Sequence, residues 1–238
     1  MKEIIRKVKE NEIEDETLFI VTDKYGRDLQ YAKKELKKND YSVKVLNLIN
    51  MENSNCYNPF FYIENPDEVK LMIEHLLHSV YDLDTIEDYC MTSADSFILD
   101  RMFFGTILFY VFEKYPKEER SLIHVRDILH GVLDMHCVVN GDAFSSFVLG
   151  DFTVRKNPLC PNVALAANYL PCLLRHPQIS DLISCDNMEL KRIGEEKTAI
   201  ICITDKEDFL FPPLIKILEM QIKKYAGEKG FKTLFEFS

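Results

Sequence analysis

Two aspartates stand where chemistry could be done. Asp23 follows the apolar run Thr17-Leu18-Phe19-Ile20-Val21-Thr22, and Asp205 follows Thr198-Ala199-Ile200-Ile201-Cys202-Ile203-Thr204. Short apolar runs without alternation are how strands buried on both faces read. In open parallel sheets, ligands sit beyond the carboxyl ends of such strands. Asp23 and Asp205, with Gly26 in the turn after the first run, are therefore the candidate residues of a nucleotide or small-molecule site. A plainer role suits the same aspartates, since a short carboxylate accepts bonds from nearby backbone amides when it begins a loop or caps a helix.

Other reaction types find no residues to support them. Nucleotide hydrolysis needs a G-x-x-x-x-G-K-S/T loop whose backbone amides cradle phosphate; the eight glycines are scattered and none forms that pattern. A late apolar strand ending in paired acids, which would hold magnesium and orient water, is also missing: residues 231–237 end in Glu236-Phe237. His75 and His78 are three apart on a helical stretch, and His130, His136 and Cys137 lie close together farther on. No further ligand follows at a zinc-site interval, so no metal is expected. No G-x-S-x-G elbow and no cysteine in a nucleophile signature occurs, and Cys90, Cys160, Cys172 and Cys185 read as small buried or loop residues. The reading is of a chain with no catalytic residues and no cofactor of its own.

Charge and composition narrow the partners. The net charge of −10 opposes general attraction to nucleic acid, whose affinity comes mainly from Lys and Arg neutralising phosphates. Lys33, Lys34, Lys37 and Lys38, and then Lys223 and Lys224, read as solvated helix faces. Seven irregularly spaced cysteines without a signal-peptide pattern read as reduced thiols in a cytoplasm. The most apolar run, Met102 to Phe112, falls short of the roughly 20 residues of a membrane span and reads as a buried core helix.

The elements that must position the two aspartates can be laid out along the chain. A polar leader precedes the first strand; helical spacing over about 28–38, with Leu29, Ala32 and Leu36 apolar, leads to a second β-rich stretch over 41–49. Strand, helix, strand implies a right-handed parallel crossover. Asn65-Pro66-Asp67-Glu68 is a helix start, with Asn to cap free amides, Pro at the first position and acids at the positive end of the dipole. The periodicity from there to 174 stays helical, with helices expected near 94–114, 121–135 and 161–174. A third strand over 198–203 precedes a helix over 212–226 that Gly227 is placed to stop. The expected fold is α/β: a parallel sheet split by an all-helical insert, divided as 1–65, 66–178 and 179–238.

Three of these stretches, taken in order, resemble a known family. Phe19-Ile20-Val21-Thr22-Asp23-Lys24-Tyr25-Gly26, then Tyr41-Ser42-Val43-Lys44-Val45-Leu46-Asn47-Leu48 and Tyr57-Asn58-Pro59-Phe60, are similar to a "VTDPKGE" strand end, a "GYKVKVFNL" strand and a "YNPF" segment. Ser180-Asp181-Leu182 onward to Asn187 through Gly194, then Lys197 to Ile203, resembles the segment in which "LG-x-x-KTALF" leads into a central strand, and Asp205 to Gln221 resembles the helix that follows it, with Pro212-Pro213 departing from the usual pattern. These belong to the type IV secretion coupling proteins of conjugative systems, the VirD4/TraG/TraD family. The resemblance implies an incomplete RecA-like sheet with an inserted all-α domain, in a family whose intact members are ring-forming ATPases that pass DNA–protein substrates to a secretion channel. Lys24-Tyr25-Gly26-Arg27 departs from the family's Pro-Lys-Gly-Glu, and the family's phosphate-loop lysine and magnesium-binding acids have no counterpart. The expectation is a truncated or degenerate, non-catalytic member that recognises relaxase or relaxosome proteins through its helical part, in the cytoplasm or beside the inner membrane through those partners. Two alternatives stand beside it: a ligand site at the strand ends, and a module for single-stranded DNA.

Overall fold

The computed structural model describes residues 1–13, 17–22, 28–78, 105–134, 177–204, 212–229 and 233–237. The strands are β1 (Thr17–Thr22), β2 (Ser42–Asn47), β3 (Thr198–Ile203) and β4 (Thr233–Phe237). The helices are α1 (Lys2–Lys9), α2 (Leu29–Lys38), α3 (Pro66–His78), α4 (105–114), α5 (Leu122–Asp134), α6 (Pro177–Ser184) and α7 (Pro212–Glu228). The chain forms two compact units, one of residues 1–58 with 181–238 and one of residues 59–180. No helix among the described residues is long and apolar enough to cross a membrane.

The first unit is an α/β layer structure. Its four strands are all parallel, in the order β2-β3-β1-β4. The connection from β1 to β2 steps over β3, while that from β3 to β4 steps over β1 in the opposite direction. Right-handed crossovers that run in opposite directions place their helices on opposite faces of the sheet. Packing agrees on one face, where Ile4, Ile5 and Val8 of α1 and Ala32 and Leu36 of α2 cluster with Leu18, Ile20, Val45, Ala199, Ile201 and Ile203. These strand positions share one face because side chains alternate along a strand. The intervening residues Phe19, Ile200 and Cys202 are equally buried, as are Leu214, Ile217, Leu218 and Ile222 of α7. β3 is inaccessible along its whole length, which is why its sequence is an unbroken apolar run.

The outer edge of β2 is covered by its own chain. Asn55 Oδ1 accepts from Val45 N at 2.8 Å, Ser54 Oγ accepts from Asn47 N at 2.8 Å, and Asn55 N donates to Val45 O at 2.7 Å. Exposed strand edges invite pairing with other chains, and this polar strap occupies the groups that would do so. The strap continues inward to Tyr57, whose hydroxyl donates to Gln221 Oε1 of α7 at 2.7 Å in the interior.

In the second unit, Asn65 caps α3 as the sequence implies. Its Oδ1 accepts from Glu68 N at 3.1 Å, while Glu68 Oε2 accepts from Glu64 N, one residue before the cap, at 2.8 Å, a variant of the capping box. Ile107, Leu108 and Val111 of α4 are fully buried, so the most apolar run is a core helix in its described part. α5 occupies the span expected near 121–135; the helix expected over 161–174 lies outside the described residues.

Three expectations need correction. The leader is not simply polar: α1 buries Ile4, Ile5 and Val8 on one stripe and presents Arg6 outward, where it meets Glu3 at 2.8 Å and also pairs with Glu10. Gly227 does not stop α7, which runs on to Glu228. Nor are all the cysteines reduced, because Cys56 and Cys185 are paired as a disulfide with Cα atoms 5.5 Å apart.

Candidate functional site at the strand carboxyl ends

β1 and β3 end in step. Thr22 stands opposite Ile203 in the register, and Thr204 N donates to Thr22 O at 3.1 Å. On the other side of β3, Leu48 N donates to Ile203 O at 2.9 Å. The chain leaves β1 and β3 in opposite directions, so the gap between them is the switch point of the sheet. That is where open α/β folds hold ligands. Asp23, Gly26 and Asp205 lie outside the described residues. What the structure brings together is the pair that immediately precedes the aspartates, Thr22 and Thr204.

The polar groups at this edge differ in how they are satisfied. Thr22, Asn47 and Thr204 are all buried. Asn47 Oδ1 accepts from Ile49 N at 3.1 Å and Asn50 N at 2.8 Å, an Asx turn that directs the chain away from β2. Thr204 Oγ1, by contrast, is buried with no hydrogen-bond partner among the described residues. Buried hydroxyls almost always have one, because leaving such a group dry forfeits its bonds to water. A hydroxyl here can donate to or accept from a polar ligand atom. The sequence held a signal for this pair, since both central strands end in the same Thr-Asp step.

The remaining sequence candidates form no described cluster. Among the described residues no group of three or more His, Cys, Asp or Glu could hold a metal ion. His75 and His78 lie on α3 and His130 on α5, while His136 and Cys137 fall outside the described residues. Cys90, Cys160 and Cys172 do as well. Of the described cysteines, Cys202 is free and wholly buried, and burial pushes its thiol far above the ordinary range, so it carries no thiolate.

Charge on the helices is spent on neighbours. Lys38 and Lys9 pair with Glu35 at 2.8 and 3.1 Å and hold its carboxyl below the usual glutamate range, Lys38 contributing most. Lys223 pairs with Glu219 at 2.7 Å. An open groove of about 600 Å³ between α1 and α2 is lined by Lys2, Arg6, Lys9, Glu10, Asp28 and Tyr31. Its ions also pair: Lys2 with Asp28 at 3.5 Å, Arg6 with Glu10, and Lys9 with both Glu35 and the Tyr31 hydroxyl, the last at 3.2 Å. This is a surface ion-pair lattice, in which screening leaves each pair little energy to offer a ligand.

A disulfide-bearing clip lies beside the strap. Asn187 Oδ1 accepts from Cys56 N at 2.8 Å and Asn55 Nδ2 at 3.0 Å, and Asn187 N donates to Cys56 O at 3.1 Å. Tyr57 N donates to Leu182 O at 2.8 Å, and Lys44 Nζ reaches Asn187 O at 3.0 Å and Glu189. Lys44 holds the Glu189 carboxyl below its ordinary range. In comparisons with known proteins, no family model and no curated protein matches the chain.

Proposed function

We propose that the chain is a non-catalytic relative of the conjugative type IV coupling proteins, an incomplete RecA-like sheet that carries a helical domain recognising relaxase or other relaxosome proteins. The support is the way the resembling stretches assort. The three resembling segments that contain strands supply β1, β2 and β3, with β3 paired between the other two in one parallel sheet. The "YNPF"-like segment anchors to the same unit through Tyr57 and Gln221. Pieces that resemble a family in order and also pack together act as one cooperative element rather than as scattered coincidences. Residues 59–180 meanwhile form a compact body of their own, as a recognition domain requires. The test is capture of the tagged full-length chain with the relaxase and accessory proteins encoded beside it. Stable association with one of them is expected; association with none would defeat the proposal.

One observation favours a second reading, a small-molecule or nucleotide site of altered chemistry at the strand ends. The Thr204 hydroxyl, which has no partner among the described residues, sits at the switch point, one residue before Asp205 and beside Thr22, which precedes Asp23. A ligand that binds only the folded chain raises its apparent stability in proportion to the logarithm of its concentration. Thermal unfolding against a panel of nucleotides with and without magnesium tests this, and no stabilisation across the panel would sink it.

A further inference from the structure

We propose that Cys56 and Cys185 form a reversible thiol–disulfide site, modified by low-molecular-weight disulfides, that latches the neck through which the sheet unit leads into residues 59–180. The cysteines are placed by bonds that do not involve sulfur. Tyr57 N to Leu182 O, Asn187 N to Cys56 O, Cys56 N to Asn187 Oδ1, Asn55 Nδ2 to Asn187 Oδ1 and Asn58 N to Asp186 Oδ1 tie the strap to α6 and the segment that follows it at 2.8–3.3 Å. The resulting Cα separation of 5.5 Å is within the range a disulfide spans without backbone movement. The two sulfurs therefore stay neighbours when the bond is broken, and re-forming it needs no search.

Access decides the order of events. Cys185 is exposed and Cys56 half-buried, whereas Cys202 is sealed in β3. A small disulfide RSSR reaches Cys185 first: the Cys185 thiolate attacks one sulfur, forms a mixed disulfide and releases RSH. The Cys56 thiolate then attacks the Cys185 sulfur and releases the second RSH. Two protein thiols have lost two protons and two electrons, and RSSR has become two RSH; reduction is the same path reversed. The bond joins positions 129 residues apart that bracket the second unit, so the oxidised chain cannot open the clip by breaking hydrogen bonds alone.

The experiment equilibrates the folded full-length chain in buffers of graded oxidised to reduced glutathione, traps free thiols by alkylation and reads the peptides by mass spectrometry. The expected result is a Cys56–Cys185 linked peptide whose occupancy rises and falls reversibly with the glutathione ratio, while Cys202 stays unmodified. Cys56→Ser should accumulate a glutathione adduct on Cys185, and Cys185→Ser should accumulate much less on Cys56. Hydrogen exchange at the Tyr57 and Asn187 amides should be slower in the oxidised form. Absence of the linked peptide at every ratio, a link that reduced glutathione never opens, or equal adducts in the two serine variants would each overturn the proposal.

Discussion

Replacing Thr204 with valine is the sharpest perturbation the structure offers. The two side chains are isosteric, so Thr204→Val exchanges a buried Oγ1 with no partner among the described residues for a methyl group without opening a cavity. The backbone bond from Thr204 N to Thr22 O is untouched, and valine is as comfortable as threonine in extended backbone. Mutational data put the burial of an unbonded hydroxyl at roughly 1–3 kcal/mol, so removing it should stabilise the sheet unit by about 1–2 kcal/mol. For a domain of this size that is a rise of about 2–4 °C in Tm per kcal/mol. Urea unfolding followed by circular dichroism measures it, with an unchanged m-value showing that the gain lies in the native state. Thr204→Ser keeps the hydroxyl and loses the methyl, so it should bring no gain. Destabilisation by valine of about 1 kcal/mol or more, on the scale of a lost hydrogen bond, would show that the hydroxyl is bonded in solution, and the reasoning would fail.

Other substitutions test the local arguments. Asn65→Ala removes one side of the α3 capping box and should cost about 1 kcal/mol in urea unfolding. Gly227→Ala should stabilise by roughly 0.5–1 kcal/mol, since the residue is an exposed helical one and an added Cβ meets nothing within 4 Å. Glu35 titrates below its ordinary value of 4.5 in the folded state because Lys38 and Lys9 favour its anion. The unfolded chain therefore takes up that proton first as pH falls, so Glu35 contributes stability above its ordinary value and loses it as pH drops through the lower folded value. Glu35→Gln should accordingly be less stable than the parent near neutrality, with the difference vanishing in strong acid; a difference independent of pH would contradict the assignment.

How much could be read from the residues depends on whether the signal was local. The apolar runs at 17–22 and 198–203 gave strands β1 and β3 because burial on both faces leaves no room for polar residues. Asn65 and Pro66 marked the start of α3 because capping is chemistry between near neighbours. Gly227 misled because the entropic cost of a helical glycine is small, and the buried stripe ending in Tyr225 and Ala226 carries the helix past it. α1 was missed because its Ile4, Ile5 and Val8 stripe is short and set among charges. Strand order was invisible: nothing in the residues says that β1 lies beside β3 and not beside β2. The Cys56–Cys185 pair was hidden likewise, since a contact across 129 residues leaves no periodicity. The orphan hydroxyl of Thr204 follows from that same long-range pairing.

The order β2-β3-β1-β4 also separates the two proposed roles. The switch point lies between the central strands, whereas the strap that precedes residue 59 in the chain runs along the outer edge of β2. Inserting a long segment there adds loop-closure entropy that grows only with the logarithm of its length. The clip of Asn55, Cys56 and Tyr57 on Leu182 and Asn187 already holds the two ends together. A segment whose two ends are held in this way can carry a binding surface of its own without altering Thr22 or Thr204. Thr204→Val should therefore abolish stabilisation by any ligand that uses the hydroxyl and leave capture of relaxosome proteins unchanged. Loss of both together would mean that the strand ends and the helical domain form one functional site, and the two readings would have to be merged.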